Sequence, residues 1–106
     1  MKIGLIIYSD EPETVWNAFR FENFTIKQGE EVKAFLLGKG VESESLDTEQ
    51  FKVTEQMRSF VDHKGRIFAC GTCLKLHHSG GSEICPPSTM KDLYDIVKNS
   101  DKIVTF

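Results

Sequence analysis

Two thiols stand three residues apart in Arg66-Ile67-Phe68-Ala69-Cys70-Gly71-Thr72-Cys73-Leu74-Lys75. A short apolar run of β-strand character ends directly in this Cys-x-x-Cys, and a polar, helix-capable segment follows. The pattern puts Cys70 and Cys73 where a strand exits and a helix begins. Free N–H groups at a helix start favour an anion, so a lowered thiol pKa is expected there. Gly71 and Thr72 offer such N–H groups, and Lys75 adds positive charge nearby.

Several uses of these thiols compete. A thiolate can attack a sulfur donor, carry the sulfur as a persulfide and pass it on, with the second thiol resolving or releasing the product. The pair can instead exchange between dithiol and disulfide, although Gly71-Thr72 lacks a stiffening residue between the cysteines. A metal is a third use, because Cys70, Cys73, His77 and His78 form C-x2-C-x3-H-H and Cys73 shares a helix face with His77. The second half-site of an ordinary zinc module is missing, so no metal is assigned. The plainest alternative is that both cysteines only pack. Cys85, beside Pro86-Pro87, reads as structural. His63, His77 and His78 read as polar residues at helix ends, where cations are favoured.

The elements that must position this motif follow from hydrophobic patterning. Lys2 to Tyr8 reads as a buried strand. Asp10 is the expected cap of a helix running to about Lys27, with Glu13 completing a capping box and Pro12 in the first turn. Gly29 is its expected stop. A second strand spans Glu31 to Leu37 and ends at Gly38-Lys39-Gly40, with Glu42 to Ser45 as polar loop. Asp47 or Thr48 is expected to cap a second helix reaching Asp62, and Gly65 to close it. The third strand, Arg66 to Ala69, delivers the cysteines. Glu83-Ile84-Cys85 is expected as a short strand. Ser88 or Thr89 then caps a last helix that ends at Asn99 or Ser100, and Lys102 to Phe106 is a terminal strand.

Strands alternating with helices predict parallel βαβ units, right-handed crossovers and helices on both faces. Sites in such sheets form at the carboxyl ends of the strands. Three loops meet that condition: Ser9-Asp10, the loop around Gly38, and the cysteine loop.

The chain's 106 residues suit one domain, 1–106. The net charge of −3 comes from interspersed acids and bases, and the basic stripe of a nucleic-acid footprint is missing. No apolar stretch approaches the roughly 20 residues of a membrane span, and Met1 to Tyr8 is too short for a secretory h-region before Asp10-Glu11. A cytoplasmic protein is therefore expected. There a Cys-x-x-Cys is more often reactive or metal-binding than structural. Neither a dinucleotide fingerprint nor a phosphate-binding loop motif is present, and no cofactor is expected. Eight Phe and one Trp supply core packing or a subunit interface.

Taken in order, several segments resemble one family. They are Glu13-Thr14-Val15-Trp16-Asn17-Ala18-Phe19-Arg20 with Asn23-Phe24, Gly29-x-Glu31-Val32, and Phe35-Leu36-Leu37-Gly38-x-Gly40-Val41-Glu42. Ala69-Cys70-Gly71-Thr72-Cys73-Leu74-Lys75 and Asp101-Lys102-Ile103-Val104-Thr105-Phe106 complete the set. Together they are similar to the DsrE-like sulfurtransferase superfamily, which includes the TusD and YchN-like proteins. The resemblance covers nearly the whole chain. It implies a YchN-like three-layer α/β/α fold, a mainly parallel sheet of about five strands, and a homo-oligomer, dimer or trimer. It also implies sulfur relay between donor and acceptor proteins or small sulfur species, with Cys70 aligned to the cysteine that carries the persulfide and Cys73 as an extra thiol. Many relatives have Arg-Gly where this chain has His77-His78. A histidine is charged only when protonated, so activity is expected to depend more on pH. A His77→Ala variant with an unchanged rate–pH profile would remove that expectation.

Overall fold

The structure is a computed structural model and describes residues 1–106. In chain order the elements are β1 (Lys2–Ile7), α1 (Pro12–Lys27), β2 (Glu31–Leu36), a 3-10 segment (Gly38–Ser45), α2 (Val53–Asp62) and β3 (Arg66–Cys70). Then come α3 (Gly71–Leu76), β4 (Pro87–Ser88), α4 (Met90–Asn99) and β5 (Lys102–Thr105). The five strands form one sheet in the order β4-β3-β2-β1-β5, and every pairing is parallel.

Register fixes which residues share a face. Leu5 pairs with Ala34, and Ala34 with Ile67. These three side chains therefore point the same way, as alternation along a strand requires. The neighbouring Gly4 points the other way, and a Cβ there would meet Ile96 of α4. Right-handed crossovers place α1 and α2 on one face and α4, whose connection runs back across the sheet, on the other. The result is the expected three-layer α/β architecture. The core joins Leu5, Ile7 and Leu36 of the sheet to Val15 and Phe19 of α1 and Val53, Met57 and Phe60 of α2, all buried. Phe19 and Phe60 meet edge-on at 6.0 Å between centroids. Each such side chain removed from water contributes about 1.5–3 kcal/mol.

Several local expectations are corrected. Glu11, not Asp10, caps α1, because Pro12 begins the helix at the next residue. The Glu11 carboxylate accepts from the N–H groups of Glu13 and Thr14, both at 3.0 Å, so Glu13 completes no capping box. α2 starts at Val53, later than Asp47 or Thr48 would set it. A turn closed between Thr48 and Phe51 intervenes, and Phe51 is held against the Trp16 ring at 5.2 Å. Asp47 nonetheless reaches the new helix start, accepting from Thr54 N–H at 2.8 Å. The left-handed residue closing α2 is Lys64, with φ 73°, and Gly65 follows it.

The strand expected at Glu83-Ile84-Cys85 is a turn instead. Ser82 N–H donates to the Cys85 carbonyl at 3.1 Å, and Cys85 N–H donates to Ser82 Oγ at 3.2 Å, so these groups are spent locally. The edge strand forms two residues later, where Ala69 pairs with Pro87 and Cys70 with Ser88. Proline lacks an N–H and is tolerated on such an edge. Thr89 caps α4 in a capping box with Asp92, as expected.

Candidate functional site

Cys70 is the last residue of β3 and the N-cap of α3, and Cys73 lies one turn into that helix. The sequence therefore delivers both thiols to the carboxyl end of the sheet, but to unequal depth. Cys70 is 3 % exposed, whereas Cys73 is only partly buried. All three cysteines are free thiols. Cys73 stands one helical turn from Cys70, and the neighbouring Cys70 thiol bears on its ionisation.

The segment after β2 closes over this pair. It was expected as a polar loop and is a 3-10 helix, Gly38–Ser45. Two glycines let it approach. Gly38 has φ +55°, and at Gly40 a Cβ would stand 2.0 Å from the Ile7 carbonyl oxygen, which no side chain allows. From this position Gly38 N–H donates to Cys73 Sγ at 3.2 Å. Glu42 accepts from His77 Nδ1 at 2.9 Å, and the Glu44 carboxylate accepts from the Ser82 hydroxyl. One short segment thus ties the helix bearing Cys73 and the turn bearing Cys85 to the end of β1 and β2.

These contacts decide the ionisation of the thiols. Burial and the contact with Cys70 push the Cys73 thiol above its ordinary range, and the Gly38 N–H opposes them. The expectation that a helix start lowers the thiol pKa is therefore wrong for Cys73. α3 has only six residues, and the sulfur faces a second thiol. Cys85 is pushed up further, first by burial and then by the neighbouring Glu44 carboxylate.

Of the remaining candidates, Gly71 is partly buried, while Thr72 and Lys75 are exposed. Ser9 serves the entry to α1, its Oγ accepting from Glu11 N–H at 3.0 Å, and Asp10 is exposed. His77, expected as a helix-end residue, is the C-cap of α3 and is also paired with Glu42. His63 is exposed at the end of α2 as expected. No three His, Cys, Asp or Glu side chains gather where they could hold a metal ion. The C-x2-C-x3-H-H spacing therefore does not become a ligand set.

Sequence reasoning missed Glu42, Glu44 and Ser82. The available signal was two acids in a short run entered through two glycines. It also missed Glu22, fully buried on α1, whose two carboxylate oxygens have no hydrogen-bond partner. Burial pushes its pKa well above the ordinary carboxylate range. Its signal was periodicity, since Glu22 lies three residues after Phe19 and seven after Val15 on the apolar face.

The model of the DsrE/DsrF-like family matches residues 1–106. The chain belongs to that family. An uncharacterized protein of Methanocaldococcus jannaschii is 32 % identical over 115 residues, covering 100 % of both chains. Another, from Methanopyrus kandleri, is 31 % identical over 111 residues, covering 95 % of this chain and 91 % of the relative. Among solved structures, the ychN protein from E. coli superposes with a TM-score of 0.86 at 17 % identity over 100 % of both chains. A conserved protein of unknown function from Bacteroides thetaiotaomicron gives 0.77 at 19 % identity, covering 99 % of this chain and 94 % of that one. At those identities the two structures establish the fold, which is YchN-like. Family membership places the cysteine pair in a family fold, but chemistry has to be argued from the site. No helix is long and apolar enough to cross a membrane.

Proposed function

We propose that this member of the DsrE/DsrF-like family is a sulfur-relay protein that takes up sulfane sulfur as a cysteine persulfide on the Cys70/Cys73 pair and passes it to a partner. The observation that carries the reading is the partly buried Cys73 thiol, backed by a second thiol and met by the Gly38 N–H at 3.2 Å. A backbone donor aimed at sulfur stabilises the anionic thiolate that must attack a donor. Its raised pKa makes the free thiolate scarce, which slows attack on indiscriminate electrophiles. The donors and acceptors are proteins or small sulfur species in the cytoplasm.

Assembly belongs to the same proposal. Met90, Tyr94 and Val97 form an exposed stripe on α4, spaced four and three residues apart. Such a stripe supports a homo-oligomer, dimer or trimer.

The test is intact-mass spectrometry of the reduced protein after exposure to a small persulfide. Samples are taken over time from wild type, Cys70→Ser, Cys73→Ser and the double variant. Sulfur uptake appears as a gain of about one sulfur mass in at least one single variant and not in the double variant. No gain in any of them, with loss of two hydrogens under oxidant in wild type alone, would replace the relay by a dithiol redox sensor. The placement of both thiols at one helix start favours that second reading.

A further inference from the structure

The two thiols are not equivalent, and their difference determines the form in which sulfur leaves. Cys70 is 3 % exposed at the end of β3, so an incoming sulfur donor cannot reach it without opening the fold. Cys73 is partly buried, on the outer side of the pair, and holds the Gly38 N–H contact. Donor sulfur therefore meets Cys73 first. Behind Cys73 stands Cys70, its neighbouring thiol at the strand end where the helix begins. Cys85 takes no part, because it is buried beside Glu44 and Ser82 in a separate turn.

Resting on the relay reading, and reversing the roles that the family resemblance implies for the two thiols, we propose that Cys73 is the sulfur-bearing residue and Cys70 its resolving thiol, so that the protein delivers sulfur at the oxidation level of sulfide. In the loading step a small persulfide exchanges with Cys73: RS–SH and Cys73–SH give Cys73–S–SH and RSH. In the second step Cys70 Sγ attacks Cys73 Sγ, the neighbouring sulfur of the Cys-x-x-Cys at the helix start. The Cys70–Cys73 bond forms and the bond from Cys73 Sγ to the outer sulfur breaks. The outer sulfur leaves with the bonding electron pair and takes the Cys70 proton, departing as hydrogen sulfide or its anion. Two thiol sulfurs are oxidised to a disulfide and one sulfane sulfur is reduced. An external dithiol then restores the pair. Attack falls on the inner sulfur, rather than the outer sulfur passing to Cys70, because Cys70 lies on the buried side of Cys73 and the donor delivers its sulfur from the exposed side. Thiol–disulfide exchange depends on which sulfur is attacked and on access, and the geometry sets both.

The experiment treats the reduced full-length protein with one equivalent of glutathione persulfide, removes small molecules at intervals, and reads intact mass and released sulfide against a protein-free control. Wild type should lose two hydrogens and release about one sulfide per disulfide formed. Cys70→Ser should retain one added sulfur and release no sulfide above the control. Cys73→Ser should do neither. The reverse pattern, with stable sulfur on Cys73→Ser and none on Cys70→Ser, would make Cys70 the bearer and overturn the assignment while leaving the relay reading intact. Wild type that keeps its added sulfur, without disulfide or sulfide, would overturn the resolving step alone. No sulfur uptake and no sulfide in any form of the protein would overturn the relay reading, and this proposal with it. Because Cys70→Ser alters a buried residue, wild type is also quenched early with an alkylating agent and mapped by peptide mass. Sulfur on the Cys73 peptide supports the assignment, and sulfur on the Cys70 side of a cut between them overturns it.

Discussion

Cys73 and Cys85 are both free thiols held by the same 3-10 segment, yet the segment treats them in opposite ways. To Cys73 it presents a backbone N–H, from Gly38. To Cys85 it presents a carboxylate, from Glu44. A donor favours the thiolate and a negative charge opposes it. Cys73 also reaches the surface, whereas Cys85 does not. The same residue type, a dozen positions apart, is thus reachable and met by a donor in one place and shut in beside a carboxylate in the other, while burial pushes both thiols up. Glu22 is the limiting case, a buried ionisable group with no partner at all.

The largest effect expected from this contrast is in thiol labelling. On the reduced native protein, a haloacetamide should modify Cys73 at least ~100-fold faster than Cys85, whose reaction must wait for local opening. Peptide mapping over time measures both rates, and equal rates would erase the distinction.

Gly40→Ala probes the segment that creates the difference. A Cβ would collide with the Ile7 carbonyl, so the segment must move and take both Gly38 and Glu44 with it. The expected loss is about 2–4 kcal/mol in urea unfolding, with the labelling rates of Cys73 and Cys85 drawing together. An unchanged denaturation midpoint would mean that the segment does not need its close seat on β1.

Glu22 sharpens the comparison by showing what burial does without a partner. Its folded-state pKa is raised, so above the unfolded-state value of about 4.3 the unfolded chain gives up its proton first. Stability should then fall as pH rises, by up to about 1.4 kcal/mol per pH unit, until the folded-state carboxyl also ionises. Glu22→Gln should remove that slope. Wild-type and variant stability curves that run parallel from pH 5 to 8 would show that Glu22 is not protonated in the fold.

The smallest change is expected from Glu44→Gln. Removing this carboxylate should move the pH at which Cys85 labels downward and leave Cys73 unchanged. Burial remains the larger cause at Cys85, so the shift is only partial. A Cys85 profile that does not move would assign its whole protection to burial.

Much of this fold was legible because its signals are local. Apolar runs at Ile3 to Ile7 and Val32 to Leu37, helical spacing in α1 and α4, and the Thr89 cap each depend on near neighbours. The errors fall where distant contacts intervene. The turn at Thr48–Phe51 delays α2 because Phe51 packs on Trp16. Glu83-Ile84-Cys85 could not be told from a strand because its pattern does not reveal that Ser82 closes a turn on Cys85. Glu42 and Glu44 looked like solvated loop residues, since nothing near them in sequence announces His77 or Ser82.

The amino-acid sequence alone determined the α/β alternation, the placement of Cys70 and Cys73 at a strand end, and the family, because spacing and chain order carry all three. The tertiary structure decided which thiol is reachable, which sulfur receives the Gly38 N–H, and in which direction Cys73 and Cys85 shift. Those properties depend on burial and on partners more than thirty residues away in sequence, and the chain brings such groups together only when the sheet closes.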